Sequence, residues 1–262
     1  MFSAERRLAI EAARAAGELL LSELAGDRRI AFKGAPTNLV TEMDAHAEAL
    51  ILGRVREAYP DDAILSEEAG AAQGRSGRRW IIDPLDGTTN YAHGLPLFGV
   101  SIALEAEGRV VVGVVYDPVH RELFVAERGA GAFVNERKLA VSRVATLDES
   151  LLATGFPYNI RETDDNNLRE YAAFSVRAQG ARRLGSAVLY LAWVAAGRFD
   201  GYWELRTGPW DAAAGSLLVE EAGGRVTDID GTPLTIDNPR VLASNGIIHD
   251  EMLAVLREVR KP

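Results

Sequence analysis

The stretch Trp80-Ile81-Ile82-Asp83-Pro84-Leu85-Asp86-Gly87-Thr88-Thr89-Asn90 decides the reading of this chain. An apolar run ends in two carboxylates three positions apart, with a proline between them. Pro84 fixes φ and offers no N–H, so it stiffens the turn that carries both acids. Two convergent carboxylates repel unless a cation lies between them. Gly87 lets the backbone approach a ligand closely. A helix starting near Thr88 would turn its free N–H groups into a phosphate cradle. Taken alone, the string also reads as a strand, an Asx-type turn and a capped helix.

Two further acidic stretches stand upstream and downstream. Ser66-Glu67-Glu68 closes the apolar run that begins at Ala63, and by itself would be a solvated turn. Pro209-Trp210-Asp211-Ala212-Ala213-Ala214-Gly215 places Asp211 where a helix cap belongs, and by itself would be only a cap. Together they give Glu67, Asp83, Asp86 and Asp211, all hard oxygen donors at the ends of expected elements. The chain has no cysteine, and its four histidines (His46, His93, His120 and His249) form no HxxxH pair. Such a donor set prefers Mg2+ or Mn2+ to Zn2+. Several carboxylates hold two hard cations near each other, an arrangement suited to phosphoryl transfer. The histidines read as surface or structural residues, with His93 alone bordering the motif.

The rest of the chain supplies the frame. It has 262 residues, 47% hydrophobic and 26% charged, ample for a buried core. Helical spacing predicts helices over 4–24, with Leu8, Ala12, Ala15, Leu19 and Leu20 on one face, and from Asp44 to Ala58, stopped by Pro60. Ala63–Glu67 and Trp80–Asp83 read as buried strands. Val100–Ala140 reads as an antiparallel meander. Beyond it, strands at Leu151–Phe156, Arg182–Leu184, Phe199–Glu204, Arg225–Ile229 and Val241–Ala243 alternate with helices at Asn167–Ala178, Ser186–Ala196, Asp211–Ala222 and Ile247–Val259. Gly223-Gly224 closes the third of these helices. The pattern is α/β, an α+β layered sandwich. It forms one domain, 1–262, in two lobes, about 1–145 and about 146–262.

The 29 basic and 38 acidic residues leave a net charge of −9, which argues against direct nucleic-acid binding. The same charge repels phosphorylated molecules unless something local reverses it. No apolar run approaches a membrane span, and Met1 to Leu21 carries no signal-like core, so a cytoplasmic protein is expected. Gly129-Ala130-Gly131 lies between β segments and precedes no long helix, which excludes dinucleotide binding.

The strings Trp80–Asn90 and Trp210–Gly215 resemble the two signatures of the inositol monophosphatase family. Lys33 through Thr41 resembles the family segment leading to an acid, here Asp44. Gly185-Ser186-Ala187, Gly201–Glu204 and Glu220–Gly224 fall in family order, so the likeness spans nearly the whole chain. The resemblance implies an α-β-α-β-α sandwich of the inositol monophosphatase/fructose-1,6-bisphosphatase type. It implies hydrolysis of a phosphate monoester with two or three Mg2+ ions, Mn2+ substituting, together with lithium sensitivity and a homodimer. Carried over by position, Glu67, Asp83 and the Leu85 carbonyl resemble the ligands of one metal. Asp83, Asp86 and Asp211 resemble those of a second. Glu67 and Thr88 resemble the pair that activates water, with Asp44 supporting them. Gly87 and Thr88 N–H groups would hold the phosphate. Gly185, Ser186 and Glu204, with Asp86 and Asp211 nearby, resemble contacts to the alcohol of a phosphorylated polyol such as inositol monophosphate.

The alternatives are a dual inositol monophosphatase and fructose-1,6-bisphosphatase, in which Arg182 or Arg183 would meet a second phosphate or a dimer partner, and a regulatory protein of transcription and ribosomal-RNA maturation. Relatives acting on 3′-phosphonucleotides or histidinol phosphate usually place lysine after Asp-Gly-Thr, whereas Thr89-Asn90-Tyr91 here favours the inositol type. Two departures are local. Ala69 stands where many relatives have serine, which removes a side-chain hydrogen bond. Asn135-Glu136 stands where Asn-Gly is common.

Overall fold

A computed structural model describes residues 2–26, 30–32 and 39–260. The Lys33–Asn38 part of the segment leading to Asp44 lies outside the described residues, as does Met1. The elements run α1 (Ser3–Glu23), β1 (Ile30–Phe32), β2 (Leu39–Thr41), α2 (Glu42–Ala58), β3 (Ala63–Ser66), β4 (Gly70–Ala72), β5 (Arg78–Asp86), α3 (Thr88–Ala92), β6 (Gly99–Ala106), β7 (Arg109–Asp117), β8 (Glu122–Glu127), β9 (Gly131–Val134) and β10 (Arg137–Lys138). They continue β11 (Leu151–Thr154), α4 (Leu168–Ser175), β12 (Gly180–Arg182), α5 (Ala187–Ala195), β13 (Gly201–Glu204), α6 (Pro209–Glu221), β14 (Arg225–Asp228), β15 (Val241–Ser244) and α7 (His249–Val259).

Strand alternation builds the layers. On the large sheet, ordered β10-β9-β8-β7-β6-β5-β3-β4, Trp80, Ile82, Ile102, Leu104 and Val114 face α1 and α2. Ile81, Ala103, Val115 and Phe124 face the opposite way, onto α5 and α6. On the second sheet, ordered β12-β11-β13-β15-β14, Ala153, Tyr202 and Ala243 join that same central core. Leu152, Trp203 and Leu242 pack outward with Phe174 of α4 and Met252 of α7. The result is the expected α-β-α-β-α sandwich. α5 and α6 are buried nearly all round because they lie between two sheets. Among the described residues, no helix is long and apolar enough to cross a membrane.

Several elements differ from expectation for identifiable reasons. α1 buries Ala9, Ala12, Ala13, Ala16 and Leu20, while Leu8 and Leu19 are only partly buried. Small residues let the helix sit close to β7: a Cβ on Gly17 would be 2.4 Å from the Tyr116 ring. The strand expected at Arg182–Leu184 is Gly180–Arg182, and the last helix starts at His249 rather than Ile247. β4, Gly70-Ala71-Ala72, has no β-forming side chain and is held by pairing with β3 alone. The meander from β6 to β10 is antiparallel throughout. Its last turn places Asn135 (φ 44°) and Glu136 (φ 69°) both in the left-handed region, as a two-residue hairpin turn of this twist requires. The Gly129 and Gly131 N–H groups each donate to the Glu221 carboxylate at 2.8 Å, so that glycine pair binds a side chain.

His249 is structural. It is fully buried, with Nε2 2.9 Å from Thr227 Oγ1 and Nδ1 2.9 Å from Ser244 Oγ. Burial, aided by the Arg225 charge, lowers its pKa to about 4. The unfolded chain therefore binds a proton near pH 6.5 that the native chain refuses until about pH 4. Stability from this group is complete above pH 6.5 and is lost as pH falls through that window, on the order of 3 kcal/mol in total. In urea unfolding at pH 7 and pH 4.5, His249→Gln is expected to lose less stability on acidification than the parent. An equal loss would contradict the assignment.

Candidate active site

β3 and β5 run parallel, with Ser66 opposite Ile82, so their C-terminal ends lie at one edge of the sheet. The Glu67 N–H donates to the Ile82 carbonyl at 3.2 Å, which sets Glu67 beside Asp83. Within β5, pairing with β6 shifts by one residue between Asp83 (opposite Ser101) and Asp86 (opposite Gly99). In a regular strand, positions three apart point to opposite faces. The bulge removes that alternation, and Pro84 sits inside it, where a missing donor is tolerated. Ser101 Oγ donates to the Trp210 carbonyl at 3.1 Å and ties the start of α6 to the neighbouring strand. Carboxylate oxygens of Asp83, Asp86 and Asp211 consequently lie within 4.8 Å of one another.

Each acid is held by local hydrogen bonds. Asp83 Oδ1 accepts the Leu85 N–H at 3.0 Å. Asp83 Oδ2 is buried and has no hydrogen-bond partner among the described residues. Asp86 Oδ2 accepts from Ser186 Oγ and from the Val188 N–H at 3.0 Å, so it also caps α5. Asp211 is not the helix cap expected from the sequence: α6 starts two residues earlier, with Gly208 at the N-cap, and Asp211 Oδ2 reaches back from the first turn to accept the Gly208 N–H at 2.6 Å. Burial pushes Asp83 and Asp211 well above the usual carboxylate range, and neighbouring acids, Glu67 among them, push further. Asp86 reaches only about 6, because Ser186 and the N–H groups at the start of α5 favour its charged form. A cluster strained in this way by self-repulsion accommodates divalent cations, whose charge reverses the repulsion. The unpartnered Asp83 oxygen and the all-oxygen donor set fit such an ion.

The remaining expected residues surround this cluster. Thr88 Oγ1 lies 3.1 Å from Asp44 Oδ1 and 3.0 Å from the Leu85 carbonyl, two acceptors that share its single hydroxyl proton. Asp44 Oδ2 in turn accepts the Thr41 N–H and Oγ1 at 2.8 and 2.7 Å, as part of the cap of α2. Gly87 has φ 91°, and a Cβ there would be 2.9 Å from the Leu97 carbonyl. Gly185 (φ 86°) packs on Asn90, whose Nδ2 bonds the Leu184 and Leu97 carbonyls. Glu204 ends β13 and accepts from Tyr202 Oη at 2.7 Å. Burial raises its pKa to about 7, against the Tyr202 hydrogen bond. Arg182 and Arg183 are exposed, and Arg183 lies over the Phe156 ring within the electrostatic reach of Glu204.

Three contributors escaped the sequence reading. Gly155 lies against Glu204: a Cβ would fall 2.1 Å from its carboxylate. Gly155→Ala is therefore expected to displace Glu204; were Glu204 a contact to the substrate alcohol, as the resemblance implies, KM would rise about 10-fold with a smaller change in kcat. An unchanged KM would contradict this. Tyr158 is exposed, and burial of its hydroxyl together with the charges of Asp211, Glu67, Asp86 and Asp83 pushes its pKa upward. Glu48 is the third, a buried acid of α2 that accepts from Ser66 and Ala69 on either side of Glu67. None of the three stood out in the sequence: the expected strand Leu151–Phe156 runs through Gly155, whereas β11 ends at Thr154.

The two sheets converge on a cluster of one buried and two partly buried carboxylates, an arrangement suited to a metal-dependent phosphatase. The model of the inositol monophosphatase family matches residues 3–261, and the chain belongs to that family. It is 44% identical to the inositol-1-monophosphatase of Mesorhizobium japonicum, over 99% of this chain and 97% of that one. It is likewise 44% identical to the Nus factor SuhB of Pseudomonas aeruginosa, over 91% and 90%. The solved inositol monophosphatase from Anabaena superposes with a TM-score of 0.89 at 47% identity, covering 98% and 96% of the two chains. The protein is a phosphoric monoester hydrolase.

Proposed function

We propose that the chain hydrolyses inositol monophosphate, or a closely related polyol phosphate, with Mg2+. The observation that carries this reading is the buried, unpartnered Asp83 Oδ2 set among the oxygens of Asp86 and Asp211. Glu67, Asp83 and the Leu85 carbonyl would hold one Mg2+, and Asp83, Asp86 and Asp211 a second, with Asp83 bridging. When bound, such ions supply Lewis acidity: they acidify water and offset charge on the phosphoryl and leaving oxygens. Glu67 and Thr88 orient the attacking water, and Asp44 fixes the Thr88 hydroxyl by accepting its hydrogen bond. Gly87 and Thr88 N–H groups hold phosphoryl oxygens. Gly185, Ser186 and Glu204, with Asp86 and Asp211, receive the hydroxyls of the polyol. α6 belongs to the lobe at about 146–262 and completes a site begun in the lobe at about 1–145, so the two lobes act as one phosphatase unit. Family likeness supports a cytoplasmic homodimer, Mn2+ substitution and inhibition by Li+.

Phosphate release from a panel of inositol monophosphate, fructose 1,6-bisphosphate and a 3′-phosphonucleotide tests the substrate. The inositol ester is expected to give the highest kcat/KM. Preference for the nucleotide would overturn the choice. Preference for the bisphosphate would favour the dual enzyme, with the exposed Arg183 beside Glu204 receiving the second phosphate. The likeness to a Nus factor favours a second reading, a regulatory role in transcription. An Asp86→Asn variant that has lost phosphatase activity yet still complements a deletion would support it.

A further inference from the structure

The structure assigns Glu48 of α2 a positioning role: its carboxylate clamps the loop that carries Glu67. This rests on the metal-site reading above. β3 and β4 form a hairpin, with Ser66 opposite Gly70 and Glu67, Glu68 and Ala69 as its three-residue loop. Glu48 is buried, and its Oε1 accepts from Ser66 Oγ at 2.5 Å and from the Ala69 N–H at 2.8 Å. One oxygen thus grips both ends of the loop. The other side of the loop is fixed by the Glu67 N–H on the Ile82 carbonyl, one residue before Asp83. A main-chain donor at Ala69 makes this clamp, so no side-chain hydroxyl is needed at that position.

The physical need is specific. Three-residue hairpin loops have several accessible geometries. A glutamate on such a loop, pushed by neighbouring carboxylates, would swing outward before a cation arrives. Holding it in place removes an ordering cost from metal binding, as outer-shell partners of metal ligands do. Glu48 acts through the loop and touches neither substrate nor ion.

The test is calorimetric titration of metal-stripped, full-length protein with Mn2+, paired with thermal melting. Glu48→Ala is expected to raise the Mn2+ dissociation constant about 10- to 100-fold. Turnover should recover to within about threefold of the parent at saturating metal, because the clamp affects occupancy more than chemistry. Glu48→Gln keeps an oxygen acceptor for both donors and is expected to bind Mn2+ within about threefold of the parent. Unchanged Mn2+ affinity in a folded Glu48→Ala, even with a lowered melting temperature, would overturn the proposal. So would a Glu48→Gln as weak as Glu48→Ala, which would mean that charge, and not the clamp, matters. Should Glu48→Ala fail to fold, Ser66→Ala decides, with about threefold weaker binding expected and no change overturning it. Glu67→Gln separates the two layers of argument. If it leaves Mn2+ binding intact, the metal-site reading falls and the clamp with it; if it weakens binding while Glu48→Ala does not, only the clamp falls.

Discussion

Replacing Asp83 by asparagine is expected to reduce Mg2+-dependent phosphate release about 1,000-fold or more while leaving the fold intact. Asp83 occupies the centre of the cluster. One oxygen is fixed by the Leu85 N–H, and the other is buried with no hydrogen-bond partner among the described residues. Asparagine preserves the size of the side chain but removes the charge that would bridge two cations. The metal-free variant should also melt no lower than the parent, since it relieves repulsion among Glu67, Asp83, Asp86 and Asp211. Phosphate release across a Mg2+ series, with melting by circular dichroism, reads both effects. Activity near the parent level would remove Asp83 from the bridging position.

Thr88→Val should lower kcat about 100- to 1,000-fold and leave Mn2+ binding nearly unchanged. The Thr88 hydroxyl joins Asp44 to the Leu85 carbonyl at the foot of the bulge, and valine matches its shape without the donor. Thr88→Ser, which retains the hydroxyl, should recover most of the loss. Valine leaves Asp44 with its Thr41 hydrogen bonds but one partner short, so a loss of about 1–3 kcal/mol in stability is also expected. A normal kcat for Thr88→Val would show that the hydroxyl takes no part in orienting the nucleophile.

The parts of the site legible in the sequence are those set by neighbouring residues. Pro84 between two aspartates marks a stiffened stretch that brings both acids together, although the strand continues through it as a bulge to Asp86 and does not end at Asp83. Asp211 marks the neighbourhood of a helix start, and Ser66-Glu67 marks the end of an apolar run. The α-β-α-β-α layers were implied by the family resemblance; Trp80-Ile81-Ile82 is apolar throughout, so the faces that separate Ile81 from Ile82 emerge only in the structure. What could not be read depends on partners distant along the chain. Glu48 looks like a solvated helical acid until the structure places Ser66 and Ala69, 18 and 21 positions away, against it. Gly155 looks like part of the strand expected over Leu151–Phe156 until Glu204 is packed on it. The buried stripe of α1 holds in part: Ala12 and Leu20 are buried as expected, while Leu8, Ala15 and Leu19 are only partly so, because close packing on β7 selects small residues such as Ala9, Ala13 and Ala16. Net charge misled in a comparable way. A net charge of −9 argues against phosphate binding, yet the clustered acids Asp83, Asp86 and Asp211 form the place where cations can make a phosphate-attracting centre.

That centre is tested most directly by anomalous diffraction from crystals soaked in Mn2+ and phosphate. The expected result is Mn2+ density coordinated by Asp83 Oδ2 together with Asp86 and Asp211, with phosphate beside it near the Gly87 and Thr88 N–H groups. Mn2+-supported turnover by the same protein, without ion density among these three carboxylates, would contradict the assignment.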